Sequence, residues 1–125
     1  MTTTTDNTSR IHETAQITPG VNVPESAQIG EGVVLHTGVR IGEHAVVGPH
    51  TTIQPGVSIG TGCEIGTGCE IGTGCKIGKR AKLGARVSID WNSRIGSDSH
   101  IGSGSTIRSS TVLGAGSEIR TGAII

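Results

Sequence analysis

The 125-residue chain contains no phenylalanine or tyrosine and a single tryptophan, Trp91. This lack of aromatics removes the stacking platforms that single-stranded nucleic-acid binders use. Lysine plus arginine and aspartate plus glutamate number 10 each, so the formal net charge is zero. A balanced chain lacks the broad positive surface of a nucleic-acid or membrane-surface binder. We therefore expect neither nucleic acid nor a membrane among its partners.

Long apolar runs and a disulfide framework are also missing. No run of about 18 apolar residues exists, so the sequence predicts no transmembrane helix. The opening residues MTTTTDNTSR have no apolar stretch of the signal-peptide kind, which predicts a cytoplasmic protein. The three cysteines are an odd number and do not indicate a disulfide framework. We expect residues 1–10 to be a flexible polar tail and residues 11–125 to be one domain.

What the sequence does contain is a six-residue repeat, most visible in IGTGCE at 59–64 and again at 65–70. With this isoleucine counted as position one, that position is aliphatic in every repeat from Ile11 to Ile125, without an inserted residue. Position five is small throughout, and glycine is frequent at positions two and four. A period of six fits neither an amphipathic helix nor a long alternating strand.

The repeat instead predicts short strands whose positions five and one point inward, with position six outward between them. We expect the glycines at positions two and four to supply tight corners, often with positive φ, between these strands. The pattern therefore indicates a solenoid of short parallel strands.

These residues resemble the hexapeptide-repeat family of acyltransferases, and the resemblance covers residues 11–125. It implies an all-β fold, a single-stranded left-handed parallel β-helix with three flat faces and 18 residues per coil, hence about six coils here. It also implies a homotrimer.

Residues at position six that are 18 apart should share one face, and one of the three sets is nearly uncharged: Gln16, Val34, Thr52, Glu70, Ser88, Thr106 and Ile124. Desolvating this set costs least, so we expect the homotrimer to form through it. A merely polar face is the alternative. The chain stops at Ile124 and Ile125 without a capping segment, so end-to-end stacking through open coil ends is a further expected contact.

One predicted corner lacks the usual glycine at position two and carries instead Thr18, His36, Gln54, Gly72, Asp90 and Arg108. The stretch 89–107 resembles the catalytic stretch of sugar acetyltransferases within the family. That resemblance implies CoA-dependent transfer of an acetyl or acyl group from acetyl-CoA to a sugar or amino-sugar acceptor. Asp90 matches the leading aspartate of the motif, Trp91 stands where the general-base histidine belongs, and Asn92 replaces the second aspartate.

Neither an indole nor an amide takes a proton near pH 7, so the resemblance predicts impaired catalysis. His36, in the same column, is a weaker candidate for a catalytic role. The alternative is a solvated ridge on a non-catalytic β-helix, either a scaffold or an isolated or engineered repeat domain.

Half of the positive charges fall within 11 residues, namely Lys76, Lys79, Arg80, Lys82 and Arg86. Wrapped around one coil, they form a girdle that fits the phosphates of coenzyme A. A solvated ring balanced by Glu64 and Glu70 is the alternative.

No metal site is expected. His36, His44 and His50 fall on different corners of the predicted coil, so they cannot converge on one ion within a subunit. Cys63, Cys69 and Cys75 share one coil and point inward from different faces, which suits either small core residues or ligands of a soft metal. We favour the core interpretation and expect no disulfide, because the side chains start from opposite walls.

Overall fold

The computed structural model describes residues 10–125, so all of the predicted tail except Arg10 lies outside the described residues. Each strand consists of positions six and one of a hexad. The strands are β1 (Gln16–Ile17), β2 (Gln28–Ile29), β3 (Val34–Leu35), β4 (Arg40–Ile41), β5 (Val46–Val47), β6 (Thr52–Ile53), β7 (Ser58–Ile59), β8 (Glu64–Ile65), β9 (Glu70–Ile71), β10 (Lys76–Ile77), β11 (Lys82–Leu83), β12 (Ser88–Ile89), β13 (Arg94–Ile95), β14 (His100–Ile101), β15 (Thr106–Ile107), β16 (Val112–Leu113) and β17 (Glu118–Ile119).

The strands form three parallel sheets, in the orders β1-β3-β6-β9-β12-β15, β4-β7-β10-β13-β16 and β2-β5-β8-β11-β14-β17. We call their outer surfaces face one, face two and face three. Paired residues are 18 apart, as in Gln16 opposite Val34 and Lys76 opposite Arg94. The predicted left-handed parallel β-helix of about six coils is confirmed.

The core is a narrow column of positions one and five. Leu35, Ile53, Ile71, Ile89 and Ile107 stack one above another from face one and are almost fully buried. Position six stays at the surface, as the alternating pattern requires. The sequence-based assignment of inward and outward positions is therefore correct.

The corners follow the strands, and we call those after face one, face two and face three corner one, corner two and corner three. Within residues 10–125, positive φ occurs only at position four, for example at Gly68 (69°) and Asn92 (59°). The glycines at position two do not have positive φ, so this part of the expectation is wrong. They are needed because the next coil lies too close for a side chain: a Cβ on Gly66 would lie 2.5 Å from the carbonyl oxygen of Gly84.

Small polar residues at position five hold successive coils together from inside. The hydroxyl of Ser93 donates to the carbonyl of Arg108 at 2.8 Å, and that of Ser105 donates to the carbonyl of Arg120 at 2.7 Å. The thiols of the cysteine coil make the same link, from Cys63 to Gly78, Cys69 to Gly84 and Cys75 to Asp90. Each link joins residues 15 apart and satisfies a carbonyl that the corner turns inward.

All three cysteines are free and fully buried, as the core interpretation predicts. Burial raises the pKa of each thiol above its ordinary value of 9.0, because the desolvated thiolate is disfavoured. A group whose neutral form is favoured by folding contributes stability that is lost as the pH rises above its unfolded pKa.

We therefore expect the free energy of unfolding to fall above about pH 9, where the unfolded thiols ionise and the folded ones do not. The variant Cys63→Ser/Cys69→Ser/Cys75→Ser keeps the donors and removes the titration, so its stability should stay flatter from pH 8 to pH 10 in urea unfolding. Equal slopes for the two proteins, or a loss of wild-type stability on adding a chelator, would contradict this assignment.

Within residues 10–125, no helix is long and apolar enough to cross a membrane. The cytoplasmic location, the homotrimer through face one and the end-to-end stacking stay predictions.

Candidate functional site

Corner one carries the polar column that the sequence singles out. In hexads between residues 30 and 114, corner two and corner three have only glycine at position two, namely Gly30, Gly42, Gly48, Gly60, Gly66, Gly78, Gly84, Gly96, Gly102 and Gly114. Corner one has glycine only at Gly72 and otherwise presents larger polar side chains. This edge of the solenoid is therefore the one that differs from the bare repeat.

The backbone fixes Asp90, Trp91 and Asn92 firmly at this corner. The amide of Asp90 donates to the carbonyl of Ile107 at 2.8 Å, and that of Asn92 donates to the carbonyl of Thr73 at 2.9 Å. All three side chains are exposed, and the indole of Trp91 keeps 54% of its surface in solvent. The corner thus presents one carboxylate, one apolar ring and one amide on a rigid support.

His36 lies on the same corner but far from this group. It precedes Asp90 by three coils, which at strand spacing is roughly 14 Å along the axis. The structure brings together Asp90, Trp91 and Asn92 and leaves His36 apart from them.

The five predicted cofactor-binding cations encircle the coil without converging. Lys76 projects from face two and Lys82 from face three, Lys79 and Arg80 lie on corner two, and Arg86 lies on corner three. All five are exposed. Their assignment to coenzyme A stays a prediction. Of the five, Lys76 lies on face two, the face that the chain enters after corner one.

Arg94 is a residue near this corner that the sequence argument did not assign to the site. It begins β13, two residues after Asn92, and it pairs directly with Lys76 of β10 on face two. The 18-residue register identifies Arg94, because it places this side chain next to Lys76 at the edge of corner one.

Arg80 is already engaged by the next coil. Its Nε and Nη2 atoms donate to the two carboxylate oxygens of Asp98 at 2.8 and 3.1 Å. This bidentate hydrogen bonding lowers the pKa of Asp98 and raises that of Arg80. Both side chains are exposed, so the pair adds little to stability.

The metal candidates do not assemble. His44 lies on corner two, His50 on corner three and His36 on corner one. Among the described residues, no group of three or more histidine, cysteine, aspartate or glutamate side chains is arranged to hold a metal ion.

The family model of the GMPPB C-terminal domain matches residues 33–125, three quarters of the chain. The chain belongs to this family. Its hexapeptide-repeat β-helix is also the fold of a solved structure, the acetyltransferase domain of PglB from Neisseria gonorrhoeae FA1090, with a TM-score of 0.70 and 23% identity. That match covers 92% of this chain and 47% of the other, and at such identity it shows the fold alone.

Two further solved structures are more distant in shape. PerB from Caulobacter crescentus, in complex with CoA and GDP-perosamine, has 28% identity and a TM-score of 0.42, over 84% of this chain and 50% of that one. A hexapeptide transferase family protein from Anaplasma phagocytophilum has 22% identity and a TM-score of 0.42, over 91% and 67%. The chain spans about half the length of the PglB acetyltransferase domain and about half that of PerB. No curated protein sequence matches it.

Proposed function

We propose that this β-helix binds acetyl-CoA at corner one and belongs to an acyl-transfer system that modifies a sugar or amino sugar, with little turnover by this chain alone. The observation that carries the proposal is the group Asp90, Trp91 and Asn92, exposed on the corner that departs from glycine between residues 30 and 114. The neighbouring cations Lys76 and Arg94 are suited to the phosphates of the cofactor. The resemblance of 89–107 to sugar acetyltransferases supplies the reaction class.

The chemistry at this corner lacks its proton acceptor. In acyl transfer, the acceptor nitrogen or oxygen attacks the thioester carbonyl, its proton passes to a base, and the carbon–sulfur bond breaks to release CoA. Trp91 cannot accept that proton, and the amide of Asn92 cannot orient a base as a carboxylate does. Binding without efficient transfer is the result we expect.

Restoring the motif is the test of this proposal. Trp91→His with Asn92→Asp should raise turnover of acetyl-CoA with amino-sugar acceptors by roughly 10²-fold or more, because a positioned base contributes on that scale. Both sites are exposed, and aspartate tolerates the positive φ at residue 92, so the fold should persist. The buried cysteines give no background when released CoA is measured with a thiol reagent.

Ser97→His is the matched control, because it sets a histidine before Asp98 at the same hexad positions of corner two. It should not raise turnover. Lys76→Gln and Arg94→Gln should each weaken CoA binding about tenfold in calorimetry, while Arg40→Gln, lower on face two, should not. Strong wild-type activity that survives removal of each histidine in turn would overturn the missing-base argument.

The second candidate is a non-catalytic β-helix module that serves as a scaffold. The replacement of the base by Trp91 favours it, and so does a family model that describes a C-terminal domain. If neither wild type nor the restored variant binds CoA at millimolar concentration, this candidate replaces the first.

A further inference from the structure

A groove of about 1040 Å³ crosses face three and corner three in the last three coils. Its walls include the outward side chains of β11, β14 and β17 and the hydroxyl residues Ser103 and Thr121. Gly84 and Gly102 form part of its lining, and neither could carry a side chain: a Cβ on Gly102 would overlap the backbone of Thr121. The groove is therefore lined partly by bare backbone, and its volume is in the range of small-molecule sites.

Three ionisable side chains line up along the groove. The register pairs Lys82 with His100 and His100 with Glu118, so neighbours lie about 4.8 Å apart at the backbone. All three side chains are exposed and line the groove. The imidazole therefore has a cation on one side and a carboxylate on the other.

Among the described residues, none of these three side chains makes an ion pair. Within residues 10–125, the one ion pair with a contact of 4.0 Å or less is Arg80–Asp98, which lies outside the groove lining. Glu64, on the coil below Lys82, lies outside the lining too and makes no such pair with it. A ligand can thus engage Lys82 without first breaking a protein contact.

The two ends of the groove differ in charge. At the upper end, Glu118 and Arg120 both line the groove, so this end carries one carboxylate and one guanidinium. At the lower end, the ammonium of Lys82 carries positive charge and donates hydrogen bonds, and the imidazole of His100 lies beside it. The lower end suits a phosphate, and the upper end suits hydroxyl groups, which donate to a carboxylate and accept from a guanidinium.

The equivalent hollow 72 residues earlier shows that the fold alone does not create this site. That hollow, on the first coils of face three, has a volume of about 270 Å³. Gln28 and Val46 stand where His100 and Glu118 stand in the larger groove, and the ring of Pro49 stands where Thr121 stands. Arg10 stands where Lys82 stands, and it donates to the carbonyl of Pro24 at 2.8 Å. The row of three ionisable side chains and the larger volume therefore belong to the C-terminal coils in particular.

We propose that the C-terminal groove binds a phosphorylated sugar, with the phosphate against Lys82 and His100 and the sugar hydroxyls toward Glu118. The site is separate from corner one and does not depend on acetyl-CoA binding there. Its ligand combines one phosphate with several hydroxyls, which is the chemistry that the two ends of the groove recognise.

The probe is glucose 1-phosphate, followed in the wild-type protein by calorimetry and by the carbon-bound imidazole signals in NMR. The His100 signals should shift on titration and those of His36 should not. Inorganic phosphate should shift the same signals with weaker affinity, and glucose alone should bind weakest, because the phosphate supplies the charge-assisted contacts.

Three variants separate the two ends of the groove. Lys82→Gln should weaken binding of glucose 1-phosphate and of inorganic phosphate about tenfold each, the loss expected for one charged hydrogen bond. Glu118→Gln should weaken the sugar phosphate without weakening inorganic phosphate. Arg40→Gln, which removes one exposed positive charge from face two, should leave both unchanged.

The proposal is overturned if glucose 1-phosphate shifts no His100 signal at millimolar concentration. It is also overturned if Arg40→Gln weakens binding as much as Lys82→Gln does, since the contact is then general charge attraction. A response confined to corner one would assign the ligand to the other site. None of these outcomes bears on whether acetyl-CoA binds at corner one.

Discussion

Replacing Ile71 with aspartate is expected to unfold the β-helix. Ile71 is fully buried in the middle of the stack that face one contributes, with Ile53 below and Ile89 above. A carboxylate there has no partner, and its desolvation costs several kcal/mol, comparable with the whole stability of a domain of this size. Far-UV circular dichroism should show loss of the β signal and of the cooperative melting transition.

Two matched variants separate charge burial from simple loss of contacts. Ile71→Val removes one methyl group and should cost about 0.5–1.5 kcal/mol. Glu70→Gln changes the exposed neighbour on the same strand and should stay within about 0.5 kcal/mol of wild type. Should Ile71→Asp melt close to the wild-type temperature, the central stack would not be the source of stability described here.

The second large effect is expected from Gly66→Ala, and its matched control is Gly68→Ala in the same hexad. A Cβ on Gly66 would lie 2.5 Å from the Gly84 oxygen and 2.6 Å from the Gly84 carbonyl carbon, both backbone atoms of the next coil. Backbone cannot move aside without separating the coils, so we expect a loss of about 3 kcal/mol or more.

Gly68 has a φ of 69°, and a Cβ there would meet only the flexible Arg86 side chain at 3.4 Å. The cost of Gly68→Ala is therefore the left-handed backbone of a single residue, about 1–2 kcal/mol. Urea unfolding of both variants measures the difference. Equal losses, or a larger loss at Gly68, would show that the corner dihedral and not the coil spacing makes glycine necessary at position two.

The candidate site was only partly predictable. Asp90, Trp91 and Asn92 are consecutive, so the sequence is enough to place them together. Arg94 follows Asn92 by two residues, but it becomes a candidate only through its pairing with Lys76 across one coil. His36 lies apart from the group because three coils intervene. The ion pair Arg80–Asp98 likewise depends on side-chain conformations that the repeat does not specify.

The amino-acid sequence by itself determined a solenoid of short parallel strands and the inward or outward direction of positions five, six and one. It could do so because the six-residue period is a local property, repeated without an insertion, and each repeat imposes the same geometry on the next. The resemblance to the hexapeptide-repeat family added the left-handed coil of 18 residues and its three faces. The tertiary structure alone decided why position two is glycine, which inner hydroxyls and thiols satisfy which carbonyls, and where a charged groove opens. Those features depend on distances between atoms 15 to 19 residues apart, in adjacent coils, and a period in the sequence gives the order of such atoms but not their separation.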